Sequence, residues 1–479
     1  MPKYRSGQWD GWIHLFRYAK VPTGLFLASR AEIEKEFGIR FECEYRYDPV
    51  MFSGPVESDR LYQIECVRRM REAAQTGGGL VIAATGIGKT RIAGMLFKGL
   101  RGSAVFIVDE LTLLCQTMGE LQSVVGEPIG EIGDMEFRPQ RITVATVQTL
   151  HRHCSDPAFQ KWADGVQIMV IDELHLMINK RQHDVIRSFK TPAVFGLTAT
   201  LELQKLHIRM QAYAIAGPVC FRYALKDGVE QGYLTAGVCT QLVVRNRIEK
   251  SDNWMRDYRS IVVRSERRNG IVADIARESI VAGRSVIILV QWVSHLELLS
   301  RMLLDIPHRV VYGAVDVEDR IRAKRRFDAG DLKLIIANVV FKKGIDIRRV
   351  DCIIDAAGFK SRNDAIQKFG RGVRLAEGKK SLVYFDIGDS GNRFAAATGS
   401  RRRALCSIGI PVKVIEWEDR INIPKLVRAA IMFSESNRRK RNGEEETDTG
   451  ASAVQSRCVS VEEVPRSMAE TAEEVAVLD

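Results

Sequence analysis

The sequence predicts an α/β fold of two tandem parallel-sheet domains, with a small N-terminal α+β domain and a disordered C-terminal tail. Short apolar runs alternate with longer amphipathic stretches, the order expected when crossover helices join parallel strands. A chain of 479 residues is also too long for one ordinary hydrophobic core. We therefore expect two similar domains, each with its own sheet.

The apolar runs form two series separated by a turn-rich segment. The first series is 80–83, 104–108, 142–147, 168–171 and 194–197, and the second is 286–290, 334–337, 352–354 and 382–385. The predicted boundaries are a nucleic-acid-binding N-terminal domain at 1–52, a first sheet domain at 53–216, a linker at 217–237, a second sheet domain at 238–434 and a tail at 435–479.

Composition places the chain among soluble globular proteins. It is 46% hydrophobic and 27% charged, and no apolar stretch approaches the roughly 18 residues needed to cross a bilayer. The nine cysteines are scattered without a CxxC pair, which indicates reduced thiols and no structural zinc. We expect a cytoplasmic protein with no membrane partner.

Charge is distributed unevenly. The chain carries +11, whereas residues 443–479 carry −8, so the rest carries +19. A strongly basic body suits a polyanionic partner such as nucleic acid. The tail is polar, acidic and poor in aromatic residues, a composition typical of disorder.

A candidate phosphate-binding loop follows the first apolar run. Residues 83–90 fit the pattern G-x-x-x-x-G-K-[ST] except at Ala83, and they stand between a predicted strand and a predicted helix, the context that this loop requires. Glycines let backbone N–H groups approach phosphates, the lysine adds a point charge and the threonine hydroxyl is a Mg²⁺ ligand. The residues predicted to bind ATP here are Thr85, Gly86, Ile87, Gly88, Lys89 and Thr90.

Two carboxylates end the apolar run 168–171. Asp172 and Glu173 would be costly at the end of a buried strand without a cation nearby. We predict that Asp172 holds Mg²⁺ together with Thr90, and that Glu173 orients or deprotonates the water that attacks the γ phosphate.

A basic helix face is predicted in the second domain. Gln367, Arg371 and Arg374 are spaced at i, i+4 and i+7 and so lie on one face of a helix. An arginine that reaches a transferring phosphate from another domain contributes about 10³ to 10⁵ in rate.

Residues 55–390 resemble superfamily 2 helicases of the DExH type, which have two RecA-like domains, because the motifs occur in that family's order. The resemblance implies that Gln63 reads adenine and that Gly344, Asp346 and Gln367 belong to the nucleotide site. It favours Arg374 as the arginine finger, with Arg371 a phosphate contact. The residues that the resemblance assigns to nucleic acid are Thr146, Gln148, Thr149, Thr198 and Thr200.

The N-terminal region resembles the small domain of UvsW-like phage helicases, at residues 7–16 and 22–25. That family unwinds and branch-migrates forked or four-way DNA. The resemblance implies an ATP-dependent DNA helicase of a phage or its bacterial host, acting on forked, branched or single-stranded DNA in replication, recombination or repair. The expected oligomeric state is a monomer.

Three alternatives remain open on the sequence. An RNA helicase shares every motif. A non-catalytic, ATP-gated nucleic-acid clamp needs no water-activating acid, so Glu173, Arg371 and Arg374 argue against it. The motor subunit of a nuclease or restriction system would need a partner nuclease, because no metal-nuclease motif is evident in this chain.

Overall fold

The structure is a computed structural model that describes residues 23–38, 49–178, 180–199, 206–245, 251–338, 347–358, 362–417 and 421–441. Within these residues two separate sheets are present, one of eight strands and one of seven. No helix among them is both long and apolar enough to cross a lipid bilayer.

The first sheet has the order β4-β3-β5-β2-β6-β7-β1-β8 and is parallel except for the β3–β4 pair. Its strands are β1 Gly78–Ala83, β2 Ser103–Val108, β3 Gly130–Gly133, β4 Glu136–Arg138, β5 Ile142–Thr146, β6 Val166–Ile171, β7 Ala193–Thr198 and β8 Val219–Tyr223. The central strands are buried along nearly their whole length, as expected for a parallel sheet covered by helices on both faces.

The second sheet has the order β11-β12-β10-β13-β14-β9-β15 and is parallel throughout. Its strands are β9 Gly237–Arg245, β10 Val286–Val290, β11 His308–Val311, β12 Leu334–Asn338, β13 Cys352–Asp355, β14 Leu382–Ser390 and β15 Val412–Glu416. The predicted pair of parallel α/β domains is therefore confirmed, and each apolar run of the sequence lies in or overlaps a strand.

Helices connect and cover the strands. Those before β9 are α1 Thr23–Phe37, α2 Leu61–Ala74, α3 Lys89–Lys98, α4 Leu111–Val125, α5 Val147–His153, α6 Pro157–Ala163, α7 Lys180–Ser188, α8 Leu206–Ala216 and α9 Leu225–Glu230. Those after β9 are α10 Trp254–Tyr258, α11 Glu266–Val281, α12 Val293–Met302, α13 Val317–Ala329, α14 Arg362–Gly372, α15 Ala395–Ser407 and α16 Ile423–Arg441.

Two predicted boundaries differ from the structure. The predicted linker, 217–237, contains β8, which pairs with β1 as the last strand of the first sheet, and also α9. Closely spaced glycines made this segment look irregular, although Val219–Tyr223 is aromatic and apolar enough to pair. The predicted tail begins at 435, yet α16 continues to Arg441, because Ser434 is buried and Glu435 pairs with Arg284 at 2.9 Å.

The predicted N-terminal domain lies largely outside the described residues, which include only α1 and the start of the next segment. Helix α1 packs against α8 of the first sheet domain, and Leu25 is buried. The aromatic and basic residues of 1–22 and the acidic part of the tail lie outside the described residues.

A buried ion pair fixes α14 to the second sheet. The ammonium of Lys368, on α14, donates to both carboxylate oxygens of Asp355 at 2.8 and 2.7 Å. The hydroxyl of Tyr384, on β14, donates to the same carboxylate at 2.9 Å. All three side chains are at most 5% exposed. Burial acts to raise the pKa of Asp355, but Lys368 and Arg401 outweigh it and lower the pKa to about 2.

Replacing Lys368 with methionine should destabilise the protein by about 3 to 5 kcal/mol, because Asp355 would stay buried without its partner. Urea unfolding measures the change in the free energy of unfolding. The exposed Lys380 is the matched control. The free energy of unfolding of Lys380→Met should stay within about 0.5 kcal/mol of that of the parent. Equal midpoints for the two variants would show that the ion pair contributes little.

Candidate active site

A cavity of about 590 Å³ lies between the carboxyl edge of the first sheet and α14 of the second domain. Both domains contribute to its walls. The predicted site residues that line it are Gln63, Thr85, Gly86, Gly88, Lys89, Thr90, Asp172, Glu173, Gln367, Arg371 and Arg374. The structure therefore brings together groups that are more than 300 residues apart in the chain.

The loop at residues 84–88 depends on glycine for its shape. Gly86 and Gly88 have φ angles of 93° and 83°, in the left-handed region where side chains are strained. Ile87 between them is fully buried, and its carbonyl accepts hydrogen bonds from the Tyr62 hydroxyl at 2.7 Å and the Gln63 amide at 3.0 Å. The buried side chain and the hydrogen-bonded carbonyl of Ile87 thus fix the loop. Gly86 and Gly88, on either side of Ile87, line the cavity.

Gln63 is placed differently from the prediction that it reads adenine. Its side chain is 1% exposed. Its amide nitrogen donates to Ile87, and its amide oxygen accepts from the Ser58 hydroxyl at 2.7 Å. In this arrangement Gln63 supports the phosphate-binding loop, and adenine recognition stays a prediction.

Asp172 and Glu173 stand where β6 ends. The Lys89 ammonium lies 3.2 Å from Glu173 Oε1, so the lysine of the loop and the acid of the strand neutralise each other. Glu173 has a φ of 47°, a left-handed conformation that costs a side-chain-bearing residue about 1 to 3 kcal/mol. In this conformation the carboxylate of Glu173 faces Lys89.

The two carboxyl groups titrate in opposite directions. Burial, and then the negative charge of Glu173, raises the pKa of Asp172 to about 6. Burial acts to raise the pKa of Glu173 as well, but Lys89, His175 and Arg371 together outweigh it and lower that pKa. Glu173 therefore ionises at a lower pH than Asp172.

His175 is a site residue that sequence reasoning did not assign. Its Nδ1 lies 3.3 Å from Glu173 Oε2 and 3.1 Å from the hydroxyl of Thr198. It therefore connects the end of β6 to the end of β7. The available signal was its position three residues after Asp172.

The loop and α14 approach closely because each has a glycine at the contact. A Cβ built on Gly370 would lie 2.6 Å from Thr85 Cβ, and one on Gly86 would lie 3.1 Å from Arg374 Cγ. Burial lowers the pKa of Arg371 to about 10, against the opposing effect of Glu173. Burial also lowers the pKa of Arg374. Both arginines have thus lost much of their hydration and line the cavity opposite the loop.

Lys379 is a second residue that the sequence did not reveal. Its ammonium donates to the backbone carbonyls of Gly372, Arg374 (2.9 Å) and Arg348 (3.3 Å). Thr235 also holds this segment, since its hydroxyl donates to the Arg374 carbonyl at 3.3 Å. Cations suit the free carbonyls at a helix end, so Lys379 fixes the backbone at Arg374.

The residues predicted to contact nucleic acid are mostly internal. Thr146, Thr149 and Thr198 are at most 3% exposed. The Thr146 hydroxyl caps α5 by accepting from the Thr149 backbone N–H, and Thr198 bonds to His175. These hydroxyls are therefore buried and hydrogen-bonded in this conformation, and contact of these side chains with nucleic acid stays a prediction. Gln148 is exposed, and its amide donates to the Asp109 carbonyl at 2.7 Å.

Gly344, Asp346 and Thr200 lie outside the described residues, so their predicted roles stay predictions.

The oxygen donors near Lys89 fit a divalent cation of the Mg²⁺ type, which prefers carboxylate and hydroxyl oxygens. A buried Asp172 with a raised pKa is a carboxyl group that a cation would stabilise in its charged form. The described residues contain no group of three acidic, histidine or cysteine side chains that could hold a metal alone. Thr90, Asp172, water and the phosphates of a nucleotide would have to share the coordination.

Two family models match the chain. The model "Type III restriction enzyme, res subunit" matches residues 58–203, and the model "Helicase conserved C-terminal domain" matches residues 271–376. The first range contains the loop and the carboxylates, and the second contains α14. The chain belongs to the superfamily 2 helicases.

The similarity to two relatives extends over most of the length of this helicase. It is 21% identical over 416 residues to the DNA 3'-5' translocase XPB2 of Sulfurisphaera tokodaii, covering 77% of this chain and 88% of that protein. It is 22% identical over 425 residues to the ATP-dependent DNA helicase uvsW of Enterobacteria phage T4, covering 81% and 83% of the two chains.

Solved structures share the fold. S. cerevisiae Dbp5 bound to RNA and ADP BeF3 aligns with a TM-score of 0.52 at 15% identity, over 78% of this helicase and 97% of that chain. The ATP-dependent Type ISP restriction-modification enzyme LlaBIII bound to DNA aligns with a TM-score of 0.56 at 16% identity, over 80% of this helicase but only 33% of that larger chain. At these identities the likeness concerns the fold alone.

Replacing Gly370 with alanine should push the two walls of the cavity apart, because the new Cβ would meet Thr85 at 2.6 Å. Small-angle X-ray scattering should show a larger radius of gyration. Gly270→Ala is the control, since this glycine of α11 has no neighbour within 4 Å of the added Cβ and alanine favours a helix by about 1 kcal/mol. Indistinguishable scattering from both variants would mean that Thr85 yields and the walls stay in place.

Proposed function

We propose that this helicase is a DExH-type, Mg²⁺-dependent ATPase that translocates on DNA and unwinds or branch-migrates forked and junction DNA in replication, recombination or repair. The observation that carries the proposal is the cavity in which Lys89 and Glu173 of one domain face Arg371 and Arg374 of the other. A non-catalytic clamp has no need of an ionised acid beside these cations.

Lys89 and Glu173 would exchange partners when a nucleotide binds. Their 3.2 Å contact pairs the ammonium at the start of α3 with the carboxylate just after β6. A phosphate chain lying on the loop would take over Lys89, since Gly86 and Gly88 leave backbone N–H groups accessible. Glu173 would then be available to orient a water molecule, with the imidazole of His175 3.3 Å from its second oxygen.

Arg371 and Arg374 would complete the site from the second domain. Their partial burial means that little water has to be displaced when they meet charge developing on a transferring phosphoryl group. Thr90 and Asp172 would hold Mg²⁺, which when bound would neutralise charge at the phosphates. Separation of the two walls after hydrolysis would provide the movement that a translocating motor requires.

Nucleic acid as the partner is supported by the charge of +19 on the chain outside residues 443–479 and by similarity to a DNA translocase and a DNA helicase. Most contacts would be to phosphates, so binding should weaken steeply with salt and depend little on base sequence. We propose branched DNA as the specific substrate, and RNA is the competing candidate.

Glu173→Gln should lower the kcat of ATP hydrolysis by about 10² to 10⁴-fold with nucleotide binding retained, because the amide cannot accept a proton. Steady-state hydrolysis would be measured with no nucleic acid, single-stranded DNA, forked DNA, a four-way junction and single-stranded RNA. Lys89→Ala should lose nucleotide binding as well.

Asp164→Asn is the control, since this exposed acid pairs with Lys190 outside the cavity. Stimulation by forked and four-way DNA that both site variants abolish is the expected result. If only RNA stimulates ATP hydrolysis, an RNA helicase replaces the DNA proposal. If the parent hydrolyses no ATP, either alone or with any of these nucleic acids, the motor function is contradicted.

Lys379 should make hydrolysis sensitive to alkaline pH. Burial lowers its pKa to about 7, opposed by Asp351 and assisted by the charge of Arg374. The folded chain thus loses this proton as pH rises through about 7, and the neutral amine has one N–H fewer for its three carbonyls. We expect kcat to fall above pH 7 as the backbone at Arg374 loosens.

Lys379→Arg stays charged throughout, because the arginine pKa exceeds about 12, so the fall should disappear in a kcat profile from about pH 6 to 9. Lys380→Arg, at the exposed neighbouring position, should keep the parent profile. Parallel profiles for the parent and Lys379→Arg would show that another group causes any alkaline fall.

A further inference from the structure

An aromatic cluster lies at the carboxyl edge of the second sheet, away from the cavity residues. It consists of Trp254 and Tyr258 on α10, Trp292 just after β10, and Phe394 just after β14. The strands β10, β13, β14 and β9 are consecutive neighbours in the sheet. In open α/β sheets, ligands bind outside the carboxyl ends of the strands, and the candidate active site occupies the corresponding edge of the first sheet.

Within this cluster two rings form a parallel stack whose outer member is exposed. The planes of Trp254 and Tyr258 differ by 9°, with centroids 5.1 Å apart. Tyr258 is fully buried, and its hydroxyl donates to the Ala357 carbonyl at 2.7 Å. Trp254 is 38% exposed. The inner ring is thus fixed by the second domain, and it holds the outer ring at the surface.

Helix α10 itself is anchored at both ends. Asn253 caps it by accepting from the backbone N–H groups of Met255 and Arg256 at 3.0 and 3.1 Å. Asp257, which is 3% exposed, pairs with Arg393 at 2.6 Å and accepts a hydrogen bond from Ser251. The position of Trp254 is therefore set in advance, and little ordering is needed when a ligand binds.

The charge beside the stack is positive. Asp257 points inward to Arg393, whereas Arg256 and Arg259 are exposed. The Arg259 guanidinium lies 5.8 Å from the centroid of the Trp292 ring, a cation–π contact that keeps it at the cluster. An exposed ring on a rigid stack, with exposed arginines in the same segment, matches a nucleotide, which has a flat base and an anionic phosphate.

We infer that Trp254 is a stacking platform for an unpaired nucleobase of a single strand, with Arg259, held at the cluster, and the exposed Arg256 nearby attracting the phosphates of that strand. The inference rests on the proposed function, because it names a surface by which the second domain grips its nucleic acid. A base that stacks on Trp254 would extend the Trp254–Tyr258 stack by one ring. Stacking is available to every base, so the platform adds affinity without sequence specificity.

The test compares two strands that differ only in the presence of bases. The full chain is titrated with a fluorescently labelled thymidine tract and with an abasic tract of the same length, which keeps the phosphates but offers nothing to stack. The parent should bind the thymidine tract more tightly, and Trp254→Ala should reduce that preference by about 5- to 100-fold, the range of one stacked base. Trp254→Phe should retain part of it.

Met432→Ala is the matched control, because it removes an exposed apolar side chain, 70% exposed, from α16. It should keep the parent preference, and thermal unfolding checks that every variant is folded. Arg256→Ala and Arg259→Ala should weaken both tracts equally and reduce the dependence of affinity on salt.

An unchanged thymidine preference in folded Trp254→Ala would overturn the platform, as would equal binding of the two tracts by the parent. Either result leaves the proposed function intact if ATP hydrolysis is still stimulated by DNA. Absence of binding and of stimulation with every strand would instead remove the proposed function and the platform together.

Discussion

The contact between residues 84–88 and α14 is the constraint on which the candidate site depends. Gly370 and Gly86 let the loop and α14 approach closely. Arg371 of α14 and Arg374, two residues after its end, therefore come within reach of the same occupant as the loop. A separation of even 1 Å at such a site can cost about 10²-fold in rate. A larger side chain in place of Gly370 would change the shape of the cavity without altering any group that performs chemistry.

Buried charge keeps α14 in the position that this contact requires. Lys368 is held by Asp355 and Tyr384 in the interior, and Lys379 holds the carbonyls where the helix ends. A second buried pair, Arg401 with Asp386 at 2.8 Å, lies on the adjoining β14. Since an unpaired buried charge is costly, these pairs allow α14 few alternative positions.

The fold and the main site groups could be predicted because they leave local signals. Buried parallel strands are continuous apolar runs, and the phosphate loop needs Gly86, Gly88 and Lys89 in a short, recognisable string. What could not be predicted depends on distant contacts. No sequence pattern around Lys379 indicates that its ammonium contacts the carbonyl of Arg374. The sequence also does not show that the strand ends at Thr146 and Thr198 are buried. Strand β8 was not predicted, because it lies in a glycine-containing segment and its partner β1 is distant in the sequence.

The segment that joins the two sheets has a consequence for how they can separate. The backbone N–H of Leu234 donates to Gly228 of the first domain at 2.9 Å, whereas that of the next residue, Thr235, donates to Val373 of the second domain at 2.7 Å. Adjacent peptide groups are thus tied to opposite bodies. If the domains part with these bonds intact, the rotation is concentrated in the backbone torsions between Leu234 and Thr235, and the chain has a pivot about one residue long rather than a flexible tether.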